Sequence, residues 1–134
     1  KKYPKNIGVY IGYSDEVARK IYAGIDMFLM PSRFEPCGLA QLISLKYGTL
    51  PIVRRTGGLK DSIIPFNQYT LEGNGFGFDN YNSKDMAHVI DLALNVYKDK
   101  KTWKTLVKRA MQEDFSWEKS ANKYISLYKK LEEE

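Results

Sequence analysis

The sequence predicts an α/β fold: a partial doubly wound parallel sheet with helices at its C-terminal end. Two observations predict it. Short apolar runs recur at residues 7–12, 26–30, 50–54 and 75–78, each ending near glycine, proline or a charged residue. Stretches with apolar residues at helical spacing follow the first, second and last of these runs, as strand-helix units of a parallel sheet require. With 134 residues and 43% hydrophobic content, the chain can bury one core, so residues 1–134 read as a single domain.

Ile7-Gly8-Val9-Tyr10-Ile11-Gly12 is apolar and β-branched and predicts the first strand. Ser14 is a good N-cap with Asp15 and Glu16 in the first turn, and Val17, Ala18, Ile21, Tyr22 and Ile25 give the helix an apolar face. Tyr13, between strand and cap, offers a flat ring at the mouth of the crevice where such sheets bind ligands. It serves equally as a tyrosine packed at a domain surface.

Asp26-Met27-Phe28-Leu29-Met30 predicts a strand buried on both faces. Pro31 and Pro36 then confine residues 31–36 to a tight loop. Leu39, Leu42, Ile43 and Tyr47 recur at helical spacing, and Gly48 stands where a C-cap glycine belongs. Leu50-Pro51-Ile52-Val53-Arg54 is the next strand, with Arg54 and Arg55 at its carboxyl end. The turn Thr56-Gly57-Gly58-Leu59-Lys60-Asp61 is of the sort that lets backbone approach a ligand closely. Residues 65–75 read as a surface loop and Gly75-Phe76-Gly77-Phe78 as the last strand.

Ser83 caps a helix with Met86, Val89, Ile90, Ala93, Leu94 and Tyr97 inward. Thr102 caps another with Trp103, Leu106, Val107, Ala110 and Met111 inward. Ser116 opens the last, whose face of Trp117, Ala121, Tyr124, Ile125, Tyr128 and Leu131 reads as core packing.

The chemistry concentrates at residues 35–40. Glu35 falls at the carboxyl edge of the sheet, beside the N–H groups of a new helix near Gly38, Leu39 and Ala40. Such N–H groups attract phosphate through hydrogen bonds and the helix dipole, and Gly38 has no side chain to keep an anion away. A carboxylate beside an anion-binding helix start suits the transfer of a group from a diphosphate. An inert polar turn would carry the same residues. A helix start lowers a thiol pKa, but Cys37 has no histidine nearby in sequence and reads as a small neutral residue lining the site. His88, the one histidine, has no partner at metal-ligand spacing, so no metal is expected.

Three stretches carry a family resemblance: Ser32-Arg33-Phe34-Glu35-Pro36-Cys37-Gly38-Leu39, Lys46-Tyr47-Gly48-Thr49-Leu50-Pro51 and Arg54-Arg55-Thr56-Gly57-Gly58-Leu59. In this order and spacing they resemble the donor-side half of bacterial glycogen synthases and plant starch synthases, over about residues 7–131. The resemblance implies the C-terminal part of a two-domain GT-B fold with a Rossmann-like sheet. It implies transfer of glucose from ADP-glucose to the non-reducing end of an α-1,4-glucan, with retention and without a cofactor. It makes Glu35 the carboxylate at the donor glucose and puts Tyr13 on the adenine. It makes Cys37, Gly38, Leu39, Ala40, Thr56, Gly57 and Gly58 further donor-binding candidates. Many related retaining transferases carry a second glutamate eight residues after the first. Here Ile43 stands there, which argues for the ADP-glucose synthases over the sucrose- and UDP-sugar-using relatives.

Composition narrows the partners. The net charge of +5 comes from lysines interleaved with acids, and the densest group (Lys98, Lys100, Lys101, Lys104, Lys108, Arg109) falls on predicted helix surfaces. That is a solvated face rather than a nucleic-acid patch. No apolar run reaches membrane-spanning length, and no h-region follows the N-terminal lysines. One cysteine fits a reducing compartment, and the resemblance implies bacterial cytoplasm, with a plastid as the alternative.

The first residue is not Met, and the resemblance covers only one side of such an enzyme. The expectation is therefore an incomplete C-terminal domain without its acceptor-side partner, inactive in isolation. In the order 3-2-1-4-5-6, residues 7–12 would be the third strand and 26–30 the fourth, with the two strands that separate them missing. Residues 7–12 should then re-pair, mediate self-association or fray. A non-catalytic nucleotide- or glucan-binding module of the same fold is the alternative function, and a purely structural domain a third.

Overall fold

The computed structural model describes Tyr3 and residues 5–132. Three parallel strands form its sheet in sequence order: β1 (Met27–Met30), β2 (Leu50–Arg54) and β3 (Phe76–Phe78). Leu29 lies opposite Ile52, and Ile52 opposite Phe76. These are the strands expected at 26–30, 50–54 and 75–78, in the adjacent order of one half of a doubly wound sheet. Around them run α1 (Asp15–Gly24), α2 (Ala40–Lys46), α3 (Gly58–Ser62), α4 (Ser83–Lys98), α5 (Lys100–Gln112) and α6 (Trp117–Glu132).

The core lies between β2, β3 and the faces of α2, α4 and α5. Leu45, Leu50, Val53, Leu59, Phe76, Ala93, Leu106 and Ala110 are fully buried there. Phe76 stacks on Trp103 with ring centroids 6.3 Å apart, and Tyr97 meets Trp103 edge-on at 5.0 Å. Such aromatic geometry adds to the area these rings remove from water. Buried Thr49 secures the approach to β2, its Oγ1 lying 2.7 Å from the Tyr22 carbonyl oxygen and 2.8 Å from that of Ile25.

Several expectations are corrected. Residues 7–12 form no strand; they are exposed, because the sheet offers them no neighbour among the described residues. Nothing in α1 is buried, although Ser14 caps it by accepting from the Val17 N–H. Strand β1 is half-buried rather than covered on both faces, since it is an edge of the sheet and Leu29 stands partly in solvent. Helix α2 buries Gln41, Ser44 and Leu45 in place of the expected Leu39, Ile43 and Tyr47. In α4, Val96 is buried where Leu94 was expected, and in α5 Met111 is exposed.

The caps shift as well: Asn82 accepts from the Asp85 N–H and Asp99 from the Lys101 and Thr102 N–H groups, replacing Ser83 and Thr102 as caps. Helix α6 departs most, with no buried residue and Trp117 92% exposed. Its stripe packs against no core among the described residues. The 65–75 loop is more ordered than expected: buried Asn74 accepts from the Ile64 N–H and donates to the Ser62 carbonyl and to Glu113 Oε1.

Candidate active site

Two loops meet at the carboxyl edge of the sheet, one leaving β1 and one leaving β2. The first carries Glu35, which is half-buried. The Ser32 hydroxyl donates to Glu35 Oε2 at 3.4 Å, a long bond that leaves most of the carboxylate's accepting capacity open. Pro31 and Pro36 stop strand and helix on either side, as the sequence predicts.

The second loop, Thr56-Gly57-Gly58, seats directly on the first. A β-carbon on Gly57 would fall far inside van der Waals contact distance of the Glu35 carbonyl oxygen, and 3.0 Å from its carbon. One on Gly58 would meet the Cys37 carbonyl oxygen, lying 2.7 Å from the carbonyl carbon. Gly57 also has φ +47°, in the region L side chains avoid. The Gly58 N–H donates to the Pro36 carbonyl at 3.3 Å, so the contact is hydrogen-bonded as well as close. The glycines expected to let backbone approach a ligand thus let it approach the Glu35 loop.

Gln41 locks the other flank. Its buried Nε2 donates to the carbonyls of Gly38 at 2.8 Å and Cys37 at 3.2 Å, and lies 3.2 Å from Ser62 Oγ. Ser62 Oγ in turn donates to the Gly58 carbonyl at 2.7 Å. One amide therefore ties the 37–38 turn to α3. Gly38 turns there with φ +77°. A cleft of about 530 Å³ runs past this corner, lined by Cys37, Gly38, Gln41, Gly58, Asp61 and Glu113.

The structure brings Glu35, Cys37, Gly38, Thr56, Gly57 and Gly58 together. Leu39 is the N-cap of α2 and gives no side-chain cap, so the first-turn N–H groups, from Ala40 onward, receive nothing from it. Tyr13 stands apart, its ring 90% exposed and its hydroxyl donating to Asp15 Oδ1 at 3.1 Å. That hydrogen bond, and then the charge of Asp15, hold the phenol above its ordinary pKa. The sequence places Arg54 at a strand end without a role, and the contacts of Gln41 and Ser32 emerge only in the structure. A glutamine opening a helix beside a glycine turn is the signal for Gln41, whose amide can satisfy turn carbonyls.

Chemically, the corner pairs a carboxylate with a helix start. A carboxylate stabilises positive charge developing on a sugar, and fixed N–H donors stabilise negative charge on a departing diphosphate.

Residues 2–112 match the family described as Glycosyl transferases group 1. This chain belongs to that family. It is 57% identical over 132 residues to a glycogen synthase of Bacillus cereus (strain Q1), a match covering 98% of this chain and 28% of the relative. It is 58% identical over 126 residues to a glycogen synthase of Exiguobacterium sibiricum, covering 94% and 26%. This glycosyltransferase chain therefore spans little more than a quarter of the length of the curated relatives it matches.

Its structure is similar to the catalytic domain of starch synthase IV from Arabidopsis thaliana bound to ADP and acarbose. The TM-score is 0.85 and the identity 38%, over 96% of this chain and 27% of that one. Similarity to a sucrose-phosphate synthase of Thermosynechococcus elongatus is lower, with a TM-score of 0.65 and 26% identity over 92% of this chain and 30% of that one.

Proposed function

We propose that this chain is the donor-side, C-terminal portion of an ADP-glucose-dependent glycogen synthase, and that residues 1–134 form one incomplete domain of it. The whole enzyme transfers glucose from ADP-glucose to the non-reducing end of an α-1,4-glucan with retention. Glu35 faces the donor glucose. The N–H groups of Gly38, Leu39 and Ala40 hold the diphosphate, with Cys37 lining the pocket and Thr56, Gly57 and Gly58 forming its far wall. Tyr13 stacks on the adenine, for which an exposed ring is suited.

The observation that carries this reading is the hydrogen-bonded, backbone-to-backbone seat of the glycine turn on the Glu35 loop. It holds a half-buried carboxylate and a helix start in a fixed relation, as electrostatic stabilisation of a charge-separated transition state demands. The relatives named glycogen synthase, and the ADP in the similar starch synthase, support the substrate class. The bacterial relatives support a cytoplasmic setting. Without the acceptor side, this chain alone binds ADP but does not extend glucan, and residues 7–12 give it a route to self-association.

The test is Glu35→Ala in the full-length enzyme. Turnover is expected to collapse by at least about 10²-fold while ADP affinity changes little. Unchanged turnover overturns the assignment. Chemical shifts of Tyr13 and Gly38 should move when ADP is titrated into this chain, and a static spectrum would count against nucleotide binding.

A further inference from the structure

The end of β2 carries a cation that the proposed chemistry leaves unused. Arg54 Nη1 donates to the Arg33 carbonyl at 2.9 Å and, more weakly, to the Ser32 carbonyl at 3.4 Å. Its Nε donates to the Asp79 carbonyl at 3.2 Å, and the guanidinium carbon stands 5.4 Å from the centroid of the Tyr81 ring. One planar group thus joins the segment preceding Glu35 to the turn between β3 and α4. Ser32, held by its carbonyl, is also the residue whose hydroxyl reaches Glu35 Oε2.

We propose that Arg54 is a positioning residue for Glu35: its guanidinium clasps the backbone at residues 32–33 and so sets where the carboxylate and its hydroxyl partner stand. The inference rests on the assignment of Glu35 above. Three features support it over a direct phosphate role. Arg54 is half-buried, and its Nε and Nη1 donors are engaged by neutral carbonyls, where a charged donor makes the stronger kind of hydrogen bond. The guanidinium fork is rigid, so it fixes geometry where an ammonium would only attract. The loop it holds carries two prolines and little secondary structure of its own, so its position depends on contacts of this kind.

The test uses the full-length synthase with Arg54→Met, Arg54→Lys and Glu35→Ala, assayed for glucosyl transfer and ADP binding. Arg54→Met is expected to lower kcat by about 10- to 100-fold, the scale on which a small misplacement of a catalytic group acts. KM for ADP-glucose and Kd for ADP should move less than about threefold. Arg54→Lys should recover only part of the lost kcat. A tenfold rise in KM and Kd with kcat held would make Arg54 a diphosphate ligand and overturn the inference, as would wild-type kcat in Arg54→Met. Should Arg54→Met fail to fold, Arg54→Lys decides, and an unchanged kcat there overturns it. If Glu35→Ala keeps full turnover, the assignment of Glu35 falls and this inference with it. If Glu35→Ala collapses beside an unaffected Arg54→Met, only the inference falls.

Discussion

Gly57 and Glu35 touch through their backbones: no β-carbon fits on Gly57 without entering the Glu35 carbonyl. The turn after β2 is therefore a template for the loop after β1. The position of the carboxylate depends on a residue with no side chain.

Gly57→Ala should displace the Glu35 loop. Its positive φ adds strain of about 1–3 kcal/mol to the clash. In the full-length enzyme, kcat should fall by about 10²-fold. Steady-state kinetics beside a melting curve check this, and a variant of wild-type activity would show that the seat is not needed.

Gln41→Leu should loosen the same corner from the other side. The carbonyls of Cys37 and Gly38 lose their shared donor, and leaving such groups unpaired costs about 1–3 kcal/mol. Urea unfolding of this chain measures it. An unchanged midpoint would mean that water replaces the amide.

Leu45→Ala and Trp117→Ala should behave oppositely. Leu45 is fully buried between α2 and the sheet, so truncation should cost about 2–5 kcal/mol. Trp117 stands in solvent, and its loss should change the stability of this chain by no more than about 0.5 kcal/mol. A large effect at Trp117 would show that α6 folds back onto the core in solution.

Acid should weaken the start of α5 and the turn leading into α6. The Thr102 hydroxyl, 2.6 Å from Asp99 Oδ2, is the first cause holding this carboxyl below its ordinary value of 3.8, and the Thr102 and Lys101 N–H groups assist. Asp114 is lowered chiefly by the Ser116 N–H. A lowered folded pKa stabilises fully above the unfolded value, and the contribution fades as pH falls through the folded one. Melting temperature should therefore drop below about pH 4. Asp99→Asn, which still caps the helix, should remove part of that dependence. Parallel profiles for the two proteins would contradict this.

Local pattern was enough for much of the molecule. The three paired strands, the helices other than α3 and the loop bearing Glu35 follow from apolar runs, helical spacing and two prolines, all near-neighbour effects. The motifs that gather Glu35, Cys37, Gly38, Gly57 and Gly58 were legible through the family resemblance they carry. The register of contacts between segments distant in the chain was not. Spacing alone cannot tell that Gln41 turns inward while Ile43 stays partly in solvent, because burial depends on which carbonyls the fold brings near. Nor can it tell that, among the described residues, 7–12 have no neighbouring strand and the α6 stripe meets no core, since an apolar face records the need for a partner and not its presence. The sequence by itself determined most of the elements and the chemical groups of the corner. Only the tertiary structure decided that Gly57, Gly58, Gln41 and Arg54 hold the Glu35 loop, because backbone-to-backbone seating and carbonyl clasping exist only once β1 and β2 lie side by side.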